Sequence, residues 1–145
     1  MTAIEVPAPF TVAKIHPPMV QRGKISNSLA RTEVLGVGVQ VVAPDQGETN
    51  LHSHPGTDSA WVVMDGEATF YGTEDDVVVG VIGKNEMIMV PAGAPYWFKA
   101  SSDKPLVILH ITARTPDFVK GASRKDYKPP IEKPRDTVPG VFFGE

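Results

Sequence analysis

The sequence predicts an all-β fold, a single jelly-roll β-barrel formed by a chain of 145 residues. Fourteen prolines and thirteen glycines interrupt the chain at short intervals, which favours many short strands over helices. Between residues 33 and 113, about eight apolar segments follow one another at the close spacing of a β-sandwich or barrel. Because no segment of helical length separates them, the pattern excludes a βαβ fold.

The predicted strands are separated by turn residues, among which Asp65-Gly66 is a strong hairpin signal. They cover residues 34–42, 51–54, 60–64, 67–71, 77–82, 86–90, 96–100 and 106–112. This spacing predicts a barrel domain over residues 33–113.

Two segments of different character flank this domain. Residues 1–32 form an N-terminal extension that contains several prolines, with at most an edge strand near residues 10–15. Residues 114–145 are polar and Pro-rich until the apolar end at Phe142 and Phe143. We expect an extended tail whose end packs on the barrel or on a partner subunit.

Composition excludes several classes of function. The net charge is −3 and the 14 basic residues are scattered, so we expect no nucleic-acid partner. The absence of cysteine excludes disulfides and thiolate sites. No apolar run approaches the ~18 residues of a membrane span, and the first residues do not resemble a signal peptide. These features predict no membrane association and a cytoplasmic location.

The strongest chemical signal is the pair His52 and His54. Residues at positions i and i+2 of a strand project from the same face, so the two imidazoles can converge on one metal ion. For an isolated pair, the alternative is one surface histidine and one hydrogen-bonded core histidine.

The surroundings of this pair resemble the motifs of the cupin superfamily. Residues 52–67 resemble the first cupin motif, in which His-x-His and an acidic ligand precede an apolar strand that is closed by Gly-Glu. Residues 90–98 resemble the second motif, a Pro-x-Gly turn followed by a strand. The resemblance implies the jelly-roll fold, but cupins include dioxygenases, isomerases, lyases, cyclases, sugar-binding sensors and storage proteins.

The chain departs from the family pattern at the metal ligands. The resemblance places Ser59 where cupins carry a glutamate ligand and Tyr96 where they carry the second-motif histidine, while Asn85 replaces a motif glycine. Of the four usual ligands, His52 and His54 are therefore kept.

Two residues can be considered as replacements for the missing ligands. Asp58 adjoins the vacant glutamate position, although neighbouring residues on a strand point to opposite faces. His110 fits better, because the strand that carries it pairs, in the cupin topology, with the strand that carries Ser59. A shift of one residue in register would instead turn Leu109 and Ile111 inward.

Strand alternation also predicts the lining of a ligand pocket. Trp61 and Phe98 share the barrel-facing side of their strands with Ser59 and Tyr96. Together with Asp58, these residues form the predicted substrate-binding set, suited to a small, partly apolar or aromatic ligand. The alternative is that the aromatic side chains simply fill the core.

The leading hypothesis from the sequence is a metal-dependent cupin enzyme of oxygenase, lyase, isomerase or cyclase type. A divalent transition metal (Fe, Mn, Ni or Zn) would be held by His52, His54 and His110, with Tyr96 as the catalytic group. The rival is a non-catalytic module that binds a small molecule and has a degenerate or empty metal site. In either case we expect a homodimer, because single-domain cupins resemble one another in pairing their barrels and the chain ends carry spare apolar residues.

Overall fold

The computed structural model describes residues 5–145, and these residues form an all-β structure without helices. None of them therefore belongs to a helix of the length and apolarity that a membrane crossing requires. The strands are β1 (Pro18–Arg31), β2 (Leu35–Val42), β3 (His52–Ser53), β4 (Thr57–Asp65), β5 (Glu67–Gly72), β6 (Val78–Gly83), β7 (Met87–Val90), β8 (Tyr96–Ala100), β9 (Leu106–Arg114), β10 (Lys125–Asp126) and β11 (Arg135–Phe142).

The strands form two antiparallel sheets that face each other as the halves of a jelly roll. The six-stranded sheet has the order β11-β1-β2-β9-β4-β7, and the five-stranded sheet has the order β10-β3-β8-β5-β6. Strands that are distant in sequence are neighbours in both sheets, as in β2–β9 and β3–β8. This confirms the jelly-roll prediction.

Two apolar clusters stabilise the fold on opposite faces of the six-stranded sheet. The inner cluster fills the space between the sheets with Trp61, Phe70 and Phe98, all at most 2% exposed. The outer cluster includes Val39, Val41 and Val107, whose side chains alternate with the inward-facing residues of β2 and β9. Because both faces of these strands are covered, their sequences are apolar throughout rather than alternating.

All eight strands predicted from the sequence are present, and most ends agree within one or two residues. β8 was predicted with the same bounds. The largest difference is β4, which begins at Thr57 instead of residue 60 and so includes Asp58 and Ser59.

The N-terminal segment differs from its prediction. Residues 10–15 form no strand, whereas β1 spans 14 residues and lies between β11 and β2 rather than at a sheet edge. Gly23 explains why the pattern was missed, since its φ of +77° and the irregular pairing around it break the alternation of buried and exposed residues. Residues 1–4 of the predicted extension lie outside the described residues.

The C-terminal tail packs on the barrel of its own chain. β11 pairs with β1, and Phe143 packs against the outer cluster. Phe142 stacks on His16 with ring centroids 4.9 Å apart, whereas Phe10 is 72% exposed. Pro139 is compatible with β11 because this strand forms the edge of its sheet.

Candidate functional site

A cavity of about 170 Å³ opens at one end of the barrel, between the two sheets. Its lining combines histidines, aromatic rings, amide and hydroxyl groups, and cations: His52, His54, His110, Trp61, Tyr96, Phe98, Gln40, Thr49, Asn50, Lys24, Arg124 and Lys133. A second cavity of about 210 Å³ shares Gln40 and His110 with the first. The histidines and the aromatic residues that the sequence singled out are thus brought to one place, which we call the barrel pocket.

His52 and His54 are held by main-chain carbonyl groups. The Nδ1 atom of His52 lies 2.6 Å from the Asn50 carbonyl oxygen, and that of His54 lies 3.1 Å from the Ser123 carbonyl oxygen. A carbonyl oxygen only accepts, so Nδ1 carries the proton in both rings and each Nε2 keeps its lone pair. Such an orienting contact on the distal nitrogen is typical of histidines that bind metals.

Both rings favour the neutral state. Burial lowers the pKa of His52 to about 4, and the positive charge of Arg124 acts in the same direction. Burial likewise lowers the pKa of His54. The ring centroids lie 5.0 Å apart and the planes are nearly perpendicular. At neutral pH the pair therefore offers two uncharged nitrogen donors.

His110 lies on the inward face of β9. It pairs across the sheet with Trp61, and the two rings stack in parallel with centroids 3.5 Å apart. Its Nε2 atom lies 3.2 Å from the Ser59 hydroxyl oxygen. Burial lowers the pKa of His110 to about 3, so this ring is also neutral. Leu109 points the other way and packs on the outer cluster.

The three histidines line one pocket without forming a ready-made metal site. Among residues 5–145, no three or more His, Asp or Glu side chains are arranged to hold an ion. The contact between His110 and Ser59 explains part of this, because it engages the Nε2 atom of His110. His52 and His54 thus fit a metal by their donor chemistry, and the Nε2 atom of His110 would be free for an ion only after it leaves Ser59.

Tyr96 is positioned beside the histidine pair. It pairs with His52 across β3 and β8, and the two ring centroids lie 4.6 Å apart. Only 3% of Tyr96 is exposed, and burial raises the pKa of its phenol far above the ordinary value. The hydroxyl group therefore stays protonated and can donate a hydrogen bond to a ligand.

Two polar atoms at the pocket lack a well-formed hydrogen bond in the described part of the chain. The buried Nε1 atom of Trp61 interacts with the Tyr96 hydroxyl without a well-formed hydrogen bond, and the Oε1 atom of Gln40 is buried without a donor. Both residues line the barrel pocket. Buried polar groups in proteins are almost always hydrogen-bonded, so these two atoms indicate where a ligand or ordered water binds.

The side chains of Asp58 and Ser59 lie on opposite sides of β4, as those of neighbouring residues on a strand do. Asp58 lies on the outer side of the strand, and its Oδ1 atom accepts a hydrogen bond from the Ala92 N–H at 2.8 Å. It does not line the barrel pocket. Ser59 is buried and reaches the site through its contact with His110.

The sequence reasoning missed the three cations of the pocket. Lys24 comes from β1, where the irregularity at Gly23 hides the strand pattern, and Arg124 and Lys133 come from the Pro-rich tail. A tail without periodicity gives no signal for which residues return to the barrel.

Arg124 is fixed at the pocket by a polar network. Its Nε atom donates to Asp126 at 2.9 Å, and its Nη2 atom donates to the Asn50 side-chain oxygen at 2.8 Å. Asn50, which is 4% exposed, also donates to Asp126. This network ties the tail to the segment that carries His52.

Comparison with solved structures shows the same architecture in other proteins. An uncharacterised Klebsiella pneumoniae protein with a double-stranded β-helix domain is 19% identical, with a TM-score of 0.61 over 74% of this chain and 86% of that one. KdgF from Halomonas is 16% identical, with a TM-score of 0.55 over 67% and 84%. Oxalate oxidase in complex with the substrate analogue glycolate is 14% identical, with a TM-score of 0.57 over 74% and 56%. At these identities the likeness concerns the fold alone.

Sequence comparison identifies the family. No curated protein sequence matches the chain. The model of the cupin domain matches residues 38–112, which include His52, His54, Tyr96 and His110. This chain therefore belongs to the cupin family.

Proposed function

We propose that this cupin is a metal-dependent enzyme that acts on a small, partly apolar metabolite in the barrel pocket. The observation that carries the proposal is the pair of carbonyl contacts that leave the Nε2 atoms of His52 and His54 unprotonated. A divalent transition metal (Fe, Mn, Ni or Zn) bound by these atoms would supply a Lewis acid for an oxygen atom of the metabolite.

The residues of the chain would share the remaining tasks. The protonated hydroxyl of Tyr96 would donate a hydrogen bond to an oxygen atom of the metabolite and act as the acid. The rings of Trp61 and Phe98 would exclude water and position its apolar part. His110 would be the third metal ligand, after exchange of its contact with Ser59.

Elemental analysis of protein purified without an affinity tag tests this proposal. We expect one equivalent of metal per chain in the wild type, and loss of that metal in His52→Ala and in His54→Ala. His16→Ala is the matched control, because His16 lies against Phe142, outside the barrel pocket. Unchanged metal content in His52→Ala would contradict the site.

A second candidate function is a non-catalytic module that binds a small molecule without metal. Two observations favour it: the lack of a preformed three-ligand cluster in residues 5–145 and the three cations that line the pocket. It predicts wild-type protein without stoichiometric metal and with unimpaired ligand binding in the presence of a chelator.

We also propose that the protein is a cytoplasmic homodimer. β6 and β7 each form one of the two edges of their sheet, and Val79, Val81, Met87 and Met89 on them are each about half exposed or more. A second copy of the chain would cover these side chains. Light scattering at micromolar concentration should give twice the 15.6 kDa of the chain, and a mass of one chain would contradict the dimer.

A further inference from the structure

Positive charge is concentrated in the barrel pocket and is only partly matched by negative charge nearby. Lys24, Arg124 and Lys133 line it together. In the described residues, Arg124 has an ion pair with Asp126, whereas neither lysine has a carboxylate within ion-pair distance. Glu48 attracts Lys133 only from farther away.

The electrostatic cost of this arrangement is visible at Lys24. Burial and, to a smaller extent, the neighbouring charges of Lys133 and Arg124 together lower the pKa of its ammonium group to about 7. A bound anion would relieve both effects, since it would replace lost hydration and offset the mutual repulsion.

Two lining residues have donor groups that could bind such an anion. The network with Asp126 and Asn50 uses the Nε and Nη2 atoms of Arg124, whereas its Nη1 atom makes no hydrogen bond within the described residues. The Nε1 atom of Trp61, a residue only 2% exposed, is a second donor, because its interaction with the Tyr96 hydroxyl falls short of a well-formed hydrogen bond. The fixed arginine and the buried indole indicate a ligand independently of the charge of Lys24.

The apolar side of the pocket limits what the anion can be. The Nζ atom of Lys24 lies 5.9 Å from the centre of the Phe98 ring, so charge and aromatic surface adjoin. The cavity of about 170 Å³ is smaller than the roughly 300–1,000 Å³ of sites for drug-sized ligands. A fully hydrated ion such as phosphate would leave this aromatic surface without a contact.

We propose that the barrel pocket binds a small carboxylate with an apolar or aromatic body. The carboxylate group lies among Lys24, Arg124 and Lys133, and its body lies against Trp61 and Phe98. The carboxylate site rests on the proposed function, because both use the same pocket, and it adds the class of ligand.

Calorimetric titration in the presence of a chelator tests the carboxylate site without any contribution from metal. The probes are benzoate, its neutral analogue benzamide and inorganic phosphate. We expect benzoate to bind at least about tenfold more tightly than the other two, since a hydrogen bond to a charged group contributes about 1.5–3 kcal/mol. Equal binding of benzamide, or tighter binding of phosphate, would overturn the proposal.

Variants identify the groups that bind the probe. We expect Lys24→Met and Arg124→Gln each to weaken benzoate binding by roughly 10- to 100-fold. Lys120→Met is the matched control, because Lys120 is exposed and lies outside the pocket. Wild-type affinity in Lys24→Met would overturn the proposed site. Metal content measured on the same preparations before the chelator is added separates the two proposals. Protein that is purified without metal but binds benzoate contradicts the metal enzyme alone, and protein that is purified with metal but does not bind benzoate contradicts the carboxylate site alone.

Discussion

The two regions that build the barrel pocket contribute different chemistry. Every lining residue within the segment that matches the cupin domain, residues 38–112, is uncharged at neutral pH. Every lining residue outside it has a basic side chain: Lys24 from β1, and Arg124 and Lys133 from the tail. The barrel therefore provides the histidines and aromatic rings, while the flanking segments set the electrostatic potential. A match to the cupin domain alone does not predict the charge of the ligand.

The substitution that we expect to destabilise the protein most lies where the two flanking segments contact each other. At Gly23, an added Cβ atom would lie 1.7 Å from the Pro134 carbonyl oxygen, and φ is +77°. We expect Gly23→Ala to lower the free energy of unfolding by about 3 kcal/mol, from backbone strain and overpacking together. Urea denaturation measures this loss.

Gly121→Ala is the control for this substitution. Gly121 has a similar φ of +87° but no atom within 4 Å of an added Cβ, so we expect a cost of only about 1 kcal/mol. Equal losses in the free energy of unfolding at the two positions would show that Gly23 does not pack tightly against Pro134.

The second predicted change in stability is smaller and is a gain rather than a loss. Because burial and like charges disfavour the protonated form of Lys24, we expect Lys24→Met to raise the free energy of unfolding by about 2 kcal/mol at pH 6. Wild-type Lys24 is charged in both states below its folded pKa of about 7, so the penalty is complete there.

The pH dependence makes this prediction specific. As the pH rises from about 7 toward 10.5, folded Lys24 loses its proton while the unfolded residue keeps it, so the penalty disappears. Thermal unfolding at several pH values should show the advantage of Lys24→Met shrinking over this range. A constant difference would mean that the group titrates normally in the folded protein.

The smallest expected effect concerns Asp58, which belongs to the barrel but not to the pocket. Asp58→Ala removes the hydrogen bond to the Ala92 N–H at an exposed position, and we expect a loss of about 1 kcal/mol in stability. Benzoate binding should be unchanged when measured by the same titration. A weakened affinity would place Asp58 among the ligand-binding groups after all.

Predictability from sequence follows the same division between barrel and flanks. The strands of residues 33–113 were predictable because apolar runs alternate with Gly and Pro turns, and local residues determine both. The inward orientation of His110 was not predictable, because β9 is apolar on both faces and its register depends on β2 and β4.

The pocket residues of the flanking segments were harder still to predict from the sequence. Lys24 follows a bulge that interrupts the pattern of β1, and Arg124 reaches the pocket through long-range contacts with Asn50. Such contacts are fixed by tertiary packing, which leaves no periodic signal in a single sequence. The presence of Ser59 where cupins carry a glutamate was visible in the sequence, but the hydrogen bond between Ser59 and His110 required coordinates.

The stack of Trp61 on His110 gives the pocket an optical reporter of its own. Of the two tryptophans, Trp97 lies on the opposite side of β8, stacked on Tyr71, and donates to the Asp75 carbonyl oxygen. Trp61 instead is in ring contact with His110 and lines the cavity. In a Trp97→Phe background, indole emission would report the polarity and charge next to His110 alone. Occupancy of the barrel could then be followed in real time by fluorescence, with no added label.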